Sequence, residues 1–280
     1  MSDPQFAAFE AAIADRFTIE GSIGRGSRAI VYRAQDRVRG GTVALKVLHS
    51  DLASALDYGR FCKEMGHTRQ LSHPGIIPVI QVGELAGRLV VITPFVEGET
   101  LRSRLEREPE FPVRDAVSIT REIADALGYA HANDMLHKDV KPENIFLTPA
   151  RAMLMDLGVS RAITRAMEET QTGTGLTLGT PAYMSPEHAS GGVEIDPRAD
   201  LYSLGCVFYE MLAGEPPFTA ATPQAVLMRT LTDTPVPITV RRDSLSADVG
   251  VTMDRLLAKT PGARFPDAGH VVEALRTISS

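Results

Sequence analysis

From Phe17 to Val96 the chain alternates short apolar runs with turn residues: FTIEGSIG, AIVYRAQD, TVALKVL, IIPVIQVGEL and RLVVITPFV. Runs of this length, rich in β-branched residues and bounded by turn formers, predict an antiparallel sheet. One helical stretch, over about 53–71, interrupts them, and residues 4–15 predict a short amphipathic helix with Phe6, Phe9 and Ile13 on one side. After Glu97-Gly98 the period changes. Pro112 opens a helix whose Ala116, Ile119, Ile123, Leu127 and Ala130 follow three-to-four spacing. A second helix is expected from about 200 to 213, with Leu204, Val207, Phe208, Met211 and Leu212 facing inward and Gly214 as its stop. Further helices are expected near 223–232, 247–259 and 267–278. A small β-rich part followed by a larger helical part predicts two lobes with a cleft between them, a favoured place for a small ligand.

Composition narrows the class. With 280 residues, 44% hydrophobic and 23% charged, the chain has the make-up of a globular protein with a sizeable core. A formal charge of −6 argues against nucleic acid or an anionic membrane as a general partner. Cys62 and Cys206 are too few for a disulfide framework and read as reduced core thiols. The start, MSDPQFAAFEAAIADRF, is acidic and lacks the apolar core of a signal peptide. The longest apolar-rich stretch, Leu201 to Ala213, carries Glu210 and is too short to span a bilayer. A cytoplasmic location is expected. A sensor or membrane span beyond Ser280, as part of a longer membrane-anchored protein, is compatible with the sequence.

Two segments carry candidate chemistry. In IGRGSRAIV (Ile23, Gly24, Arg25, Gly26, Ser27, Arg28, Ala29, Ile30, Val31) two glycines sit between strand-like runs. They serve either a plain turn or a hairpin tip that lies close over a polyphosphate and aims N–H groups at it. Lys46 interrupts the next strand. Because Val43, Leu45 and Val47 alternate on one side, Lys46 shares a face with Ala44 beneath that hairpin, and Glu64 is the only carboxylate between Tyr58 and Pro78 to pair with it. The second segment, HKDVKPENIF at 137–146, crowds Asp139, Lys141 and Asn144 between an apolar helix and an apolar strand. A carboxylate that accepts a hydroxyl proton, an ammonium that neutralises a moving phosphoryl group and an amide oxygen for a metal suit phosphoryl transfer. Twelve residues beyond Asn144, Asp156 follows the apolar run Met153-Leu154-Met155, and with Asn144 it makes an oxygen pair suited to Mg²⁺.

In order stand the glycine hairpin, VALK ending at Lys46, Glu64, HKDVKPEN, DLG at 156–158 and GTPAYMSPE at 179–187. This ordered set resembles the protein kinase catalytic domain. The phrases MSPEHASG, LAGEPPF and KTPGARFPDA are most similar to the eukaryotic-like serine/threonine kinases of bacteria, and the similarity covers about residues 17–276. It implies a bilobal α+β fold: a helical extension over 1–16, a small antiparallel β-sheet N-lobe with one main helix over about 17–93, a hinge at 94–98 and a larger helical C-lobe over 99–280. It also implies ATP with Mg²⁺, or Mn²⁺ in its place, protein substrates, and self-association for autophosphorylation in trans.

By the same resemblance, Asp139 and Lys141 are catalytic, Asn144 and Asp156 hold metal, and Lys46 with Glu64 aligns ATP. The backbone of Thr93-Pro94-Phe95-Val96 bonds adenine, with Thr93 as gatekeeper and Val31 and Ala44 in the ceiling. Lys141 and Thr180 mark serine/threonine rather than tyrosine specificity. His137, Glu187, Asp200 and Arg264 fall at structural positions: Glu187 pairs with Arg264, and Asp200 caps a helix and bonds the backbone around His137. Ala29 replaces a glycine, Lys138 an arginine, Leu157 a phenylalanine and Ser185 an alanine; the last two substitutions are read as neutral. Lysine at 138 keeps the charge but not the two-pronged donor set of arginine. Thr172 and Thr174 are expected autophosphorylation sites, with Thr170 and Thr177 as neighbouring candidates. The competing reading is a pseudokinase that binds nucleotide as a scaffold or sensor. A small-molecule kinase is disfavoured by GTPAYMSPE.

Overall fold

The computed structural model describes residues 4–26, 28–49, 53, 56–159, 162–163, 181–192 and 195–278. Ser27, Thr170, Thr172, Thr174, Thr177 and Thr180 lie outside the described residues. The chain forms two compact units, the first built mainly from residues up to 72 with 77–97, the second from 73–76, 98–160 and 177 onward.

The first unit begins with helix α1 (Pro4–Ile13) and strands β1 (Phe17–Arg25), β2 (Ala29–Asp36) and β3 (Thr42–Leu48). Helix α2 (Tyr58–Thr68) precedes strands β4 (Gln81–Leu85) and β5 (Arg88–Pro94). The sheet is antiparallel throughout, in the order β1-β2-β3-β5-β4. Alternation decides its faces: Val43, Leu45 and Val47 are buried with Tyr32, Ala34, Val90 and Ile92, and Phe9 and Ile13 of α1 join that core.

Two elements of the first unit depart most from the expected bounds. The helix expected over 53–71 is continuous only from Tyr58, because the Asp57 carboxylate accepts the Arg60 N–H and caps it there. The run IIPVIQVGEL enters the sheet only at Gln81. Pro78 cannot donate to a ladder, and Ile76 instead makes a parallel bridge to Leu154 of the second unit, to which it belongs.

After residues 73–76 the second unit resumes at Gly98, where a φ of +149° and a Cβ position 2.1 Å from the Leu147 carbonyl exclude any side chain. There follow β6 (Glu99–Thr100), α3 (Leu101–Arg107), α4 (Val113–Ala132), a 3₁₀ turn at Pro142–Asn144, and strands β7 (Ile145–Leu147) and β8 (Ala152–Leu154), which form a small sheet β6-β7-β8. Beyond a second 3₁₀ turn at Pro181–Tyr183 come α5 (Pro186–Ala189), α6 (Arg198–Ala213), α7 (Pro223–Thr232), α8 (Ile238–Arg241), α9 (Ala247–Leu256) and α10 (Ala268–Arg276). Helix α6 is buried without a break from Ala199 to Leu212, as a helix apolar on nearly every side must be. Helix α4 packs against it and against α10. Gly214 ends α6 in the left-handed conformation that its sequence position predicts. Among the described residues no helix is long and apolar enough to cross a membrane.

Candidate active site

In the first unit, Gly24 of β1 pairs with Val31 of β2, Val31 with Lys46 of β3, and Lys46 with Val91 of β5. Paired residues share a face, so Lys46 lies in one row with Gly24 and Val31, opposite the face of Val43, Leu45 and Val47. Ala44 lies on the Lys46 face, paired with Thr93. On α2, Glu64 falls in the stripe of Phe61, Met65 and Thr68, which are buried. Ile23 is exposed at its position in β1, and Arg25 closes that strand opposite Ile30. The Gly26 N–H donates to the Ala29 carbonyl at 2.9 Å, closing the tip beside Arg28. Ile30 pairs with Val47, and its side chain packs on the core, on the face opposite Lys46. The Phe95 N–H bonds the Thr42 carbonyl at 3.1 Å and its ring lies under Arg33, with Val96 half-buried after it.

In the second unit the segment after α4 is held by one buried carboxylate. Asp200 accepts the N–H groups of His137 and Lys138, each at 2.8 Å, and its Oδ2 lies 2.9 Å from His131 Nε2. Burial pushes its pKa up, but the His131 bond and the backbone donors prevail, and the carboxyl sits below its ordinary value. Asp200 does not cap α6 as expected. Pro197 holds the cap position, which leaves Asp200 in the first turn with its oxygens free for the loop. The buried His137 ring faces the Met155 carbonyl at 3.0 Å through Nε2, which therefore carries the hydrogen, and Nδ1 accepts the Asp139 N–H at 3.3 Å. Lys138 and Asp156 both have left-handed backbones, with φ of +62° and +61°. For non-glycine residues this costs about 1–2 kcal/mol each, and such strain clusters at functional sites.

The side chains then converge. Lys141 Nζ lies 2.9 Å from both carboxylate oxygens of Asp139, in a pair only 14% and 9% exposed. Asn144 Nδ2 donates to the Asp139 carbonyl at 2.7 Å and to its Oδ2 at 3.1 Å. Both bonds use the nitrogen, so the amide turns its Oδ1 the other way. The Met155 N–H donates to the Asn144 carbonyl at 3.0 Å, bringing the end of β8, and hence Asp156, to the same loop. Among the described residues no group of three histidines, cysteines or carboxylates could grip a metal. An amide oxygen and one carboxylate instead fit a hard cation that takes its remaining ligands from water and phosphate.

The chain matches the protein kinase domain model over residues 17–274. It belongs to that family. It is 36% identical over 274 residues to serine/threonine-protein kinase PknB of Mycobacterium leprae, covering 96% of this chain and 44% of that protein. It is 37% identical over 265 residues to PknB of Mycobacterium tuberculosis, covering 92% and 42%. It is 36% identical over 266 residues to PknJ of Mycobacterium tuberculosis, covering 92% and 44%. The chain thus spans less than half the length of these curated relatives.

Elsewhere in this kinase domain, Arg264 satisfies all five of its N–H groups. It makes a two-pronged pair with Glu187 at 2.7 Å and 2.7 Å, and donates to the carbonyls of Ala258, Lys259 and Arg198. Burial raises the Glu187 pKa, but Arg264 outweighs it and holds the carboxyl below its ordinary value. Ser185, expected to be a neutral replacement, caps α5 by accepting the His188 N–H. Leu157 is buried, in line with its expected packing role.

Sequence reasoning missed a second network. Arg102 of α3 donates to Glu143, to Glu210 of α6 and to the Tyr183 hydroxyl, which in turn donates to Glu210 at 2.6 Å. The visible signal was Glu210, a carboxylate within an otherwise apolar run. His188 was also passed over. It borders a small cavity with Lys138 and Asp139, and burial and the Lys138 charge together hold its imidazole below the ordinary histidine range.

Proposed function

We propose that this chain is the catalytic domain of an ATP-dependent protein serine/threonine kinase that moves the γ-phosphoryl group of ATP to serine and threonine hydroxyls of proteins. The observation that carries this reading is the Asp139 carboxylate, clamped by Lys141 on both oxygens and by Asn144 on one. Asp139 orients the acceptor hydroxyl and takes its proton as the new P–O bond forms, the β–γ bridge breaks and ADP leaves. Lys141 stands beside that carboxylate, where an ammonium offsets charge on the transferring phosphoryl. Asn144 Oδ1 and Asp156 would hold Mg²⁺, with Mn²⁺ as a substitute. The cation neutralises phosphate oxygens when bound.

In the first unit, hairpin 23–31 and Lys46 hold the phosphates, and Glu64 holds the Lys46 ammonium toward them. Val31 and Ala44 cover the adenine, Thr93 limits the space behind it, and the backbone at Phe95 and Val96 bonds its edge. Glu187 with Arg264 anchors the peptide-docking segment, and Asp200 shapes the catalytic loop. Phosphate on Thr172 and Thr174, added by a second copy of the domain, regulates the site through Lys138. The need for ATP supports a cytoplasmic location and a signalling role.

The test is incubation with ATP, Mg²⁺ and a generic basic protein, followed by phosphoamino-acid analysis. Phosphoserine or phosphothreonine without phosphotyrosine is the expected result. ATP binding with no transfer to any protein, this one included, would replace the reading by that of a nucleotide-binding scaffold.

A further inference from the structure

The strand that carries Lys46 also holds the tip of the phosphate hairpin. His49, one residue past the end of β3, reaches that hairpin twice. Its backbone N–H donates to the Arg28 carbonyl at 2.9 Å, and its ring Nε2 lies 3.0 Å from the Gly26 carbonyl. A carbonyl only accepts, so the ring nitrogen facing it carries the hydrogen. With the Gly26 N–H bonded to Ala29, both backbone groups of Gly26 are committed.

Packing does not require this glycine. A Cβ at Gly26 would meet nothing nearer than the Ala29 carbonyl at 3.8 Å, and its φ is not left-handed. A bare tip would move, and ordering it on binding costs conformational entropy. Ala29 is buried and pairs with Leu48, but this pairing does not reach the Gly26 carbonyl.

We propose that His49 is a positioning residue for ATP: its imidazole pins the Gly26 carbonyl and so presets the hairpin tip relative to Lys46, three residues back on the same strand. The inference rests on the reading of hairpin 23–31 as the phosphate site. It assigns His49 no contact with the nucleotide. Its effect is on ATP affinity, because the bond is made before ATP arrives and does not change during transfer.

The experiment compares the wild-type chain, His49→Ala and His49→Gln. It measures the affinity for a non-hydrolysable ATP analogue with Mg²⁺ by calorimetry, the KM for ATP, and kcat on a generic protein substrate. Loss of one hydrogen bond predicts an analogue Kd and a KM for ATP about two- to tenfold higher in His49→Ala, with kcat within about twofold. Glutamine places a neutral N–H near the Nε2 position and should restore both values, which separates a hydrogen bond from a charge effect. Unchanged Kd in His49→Ala, a glutamine variant as impaired as the alanine one, or a loss confined to kcat would each overturn the inference. Failure of the wild-type chain to bind the analogue would overturn the phosphate reading of the hairpin and the inference with it.

Discussion

Asp139 depends on its neighbours for its position. Lys141 lies within hydrogen-bond distance of both carboxylate oxygens and Asn144 donates to Oδ2, so two side chains of the same loop hold the carboxylate in place. Lys141→Ala is expected to lower kcat by about 10²–10³-fold, the usual cost of removing one positioned charge or donor at a transfer site, with KM for ATP little changed in steady-state assays. An equal rise in KM with kcat preserved would assign Lys141 to binding instead. The spacing of Asp139, Lys141 and Asn144 was legible because all three lie on one short loop whose Pro142 starts a 3₁₀ turn. The role of Asp200 was legible only in part. Its bonds to His137 and Lys138 followed from the resemblance, but a cap at Pro197 in place of Asp200 depends on backbone angles that composition does not encode. Of the Arg102 network only Glu210 stood out, as a carboxylate in an apolar run. The Arg102 partners Tyr183 and Glu210 lie 81 and 108 residues away, and no local pattern joins them.

Among the elements, strands β2 and β3 follow their apolar runs residue for residue, because alternation and turn residues agree at both ends. Helix α2 starts later than the breaker-poor stretch from Ala53 to Leu71 suggests, because the Asp57 cap sets its start at Tyr58. Helix α5 is only four residues long and depends on its Ser185 cap and on Glu187. Glu187 is 17% exposed and Arg264 fully buried. Arg264→Ala should therefore cost up to about 3–5 kcal/mol in chemical denaturation, since it leaves the partly buried Glu187 carboxylate and the carbonyls of Ala258, Lys259 and Arg198 without their donor.

The pH dependence of this pair has a definite sign. Because Glu187 is held below its ordinary value of 4.5, its contribution is complete above that pH and is lost as pH falls through the lower folded value. Glu187→Gln should accordingly be less stable at neutral pH and lose less on acidification than the wild-type chain. A parallel acid profile in the two proteins would show that the pair does not carry this dependence. The threonines at 170, 172, 174 and 177 invite a separate check. Replacing all four by alanine should lower the rate about 5- to 150-fold if phosphate there switches the domain, and mass spectrometry of active protein should find phosphate within 170–177.

For the whole molecule, the period of the sequence changes at Glu97-Gly98, and the two compact units divide at the same pair. Residues 73–76 escaped that reading, since their attachment to β8 is a single non-local bridge within a short loop. The family was legible from ordered motifs, and the match over 17–274 and the mycobacterial relatives place the chain in it. What the molecule does with that membership rests on Asp139. The most direct measurement is the single-turnover rate of phosphoryl transfer for Asp139→Asn beside the wild-type chain, with ATP affinity determined on the same samples. The amide keeps the shape but cannot take the hydroxyl proton, so the rate should fall about 10²–10⁴-fold while affinity stays within a few-fold. Transfer by Asp139→Asn at the wild-type rate would contradict the account.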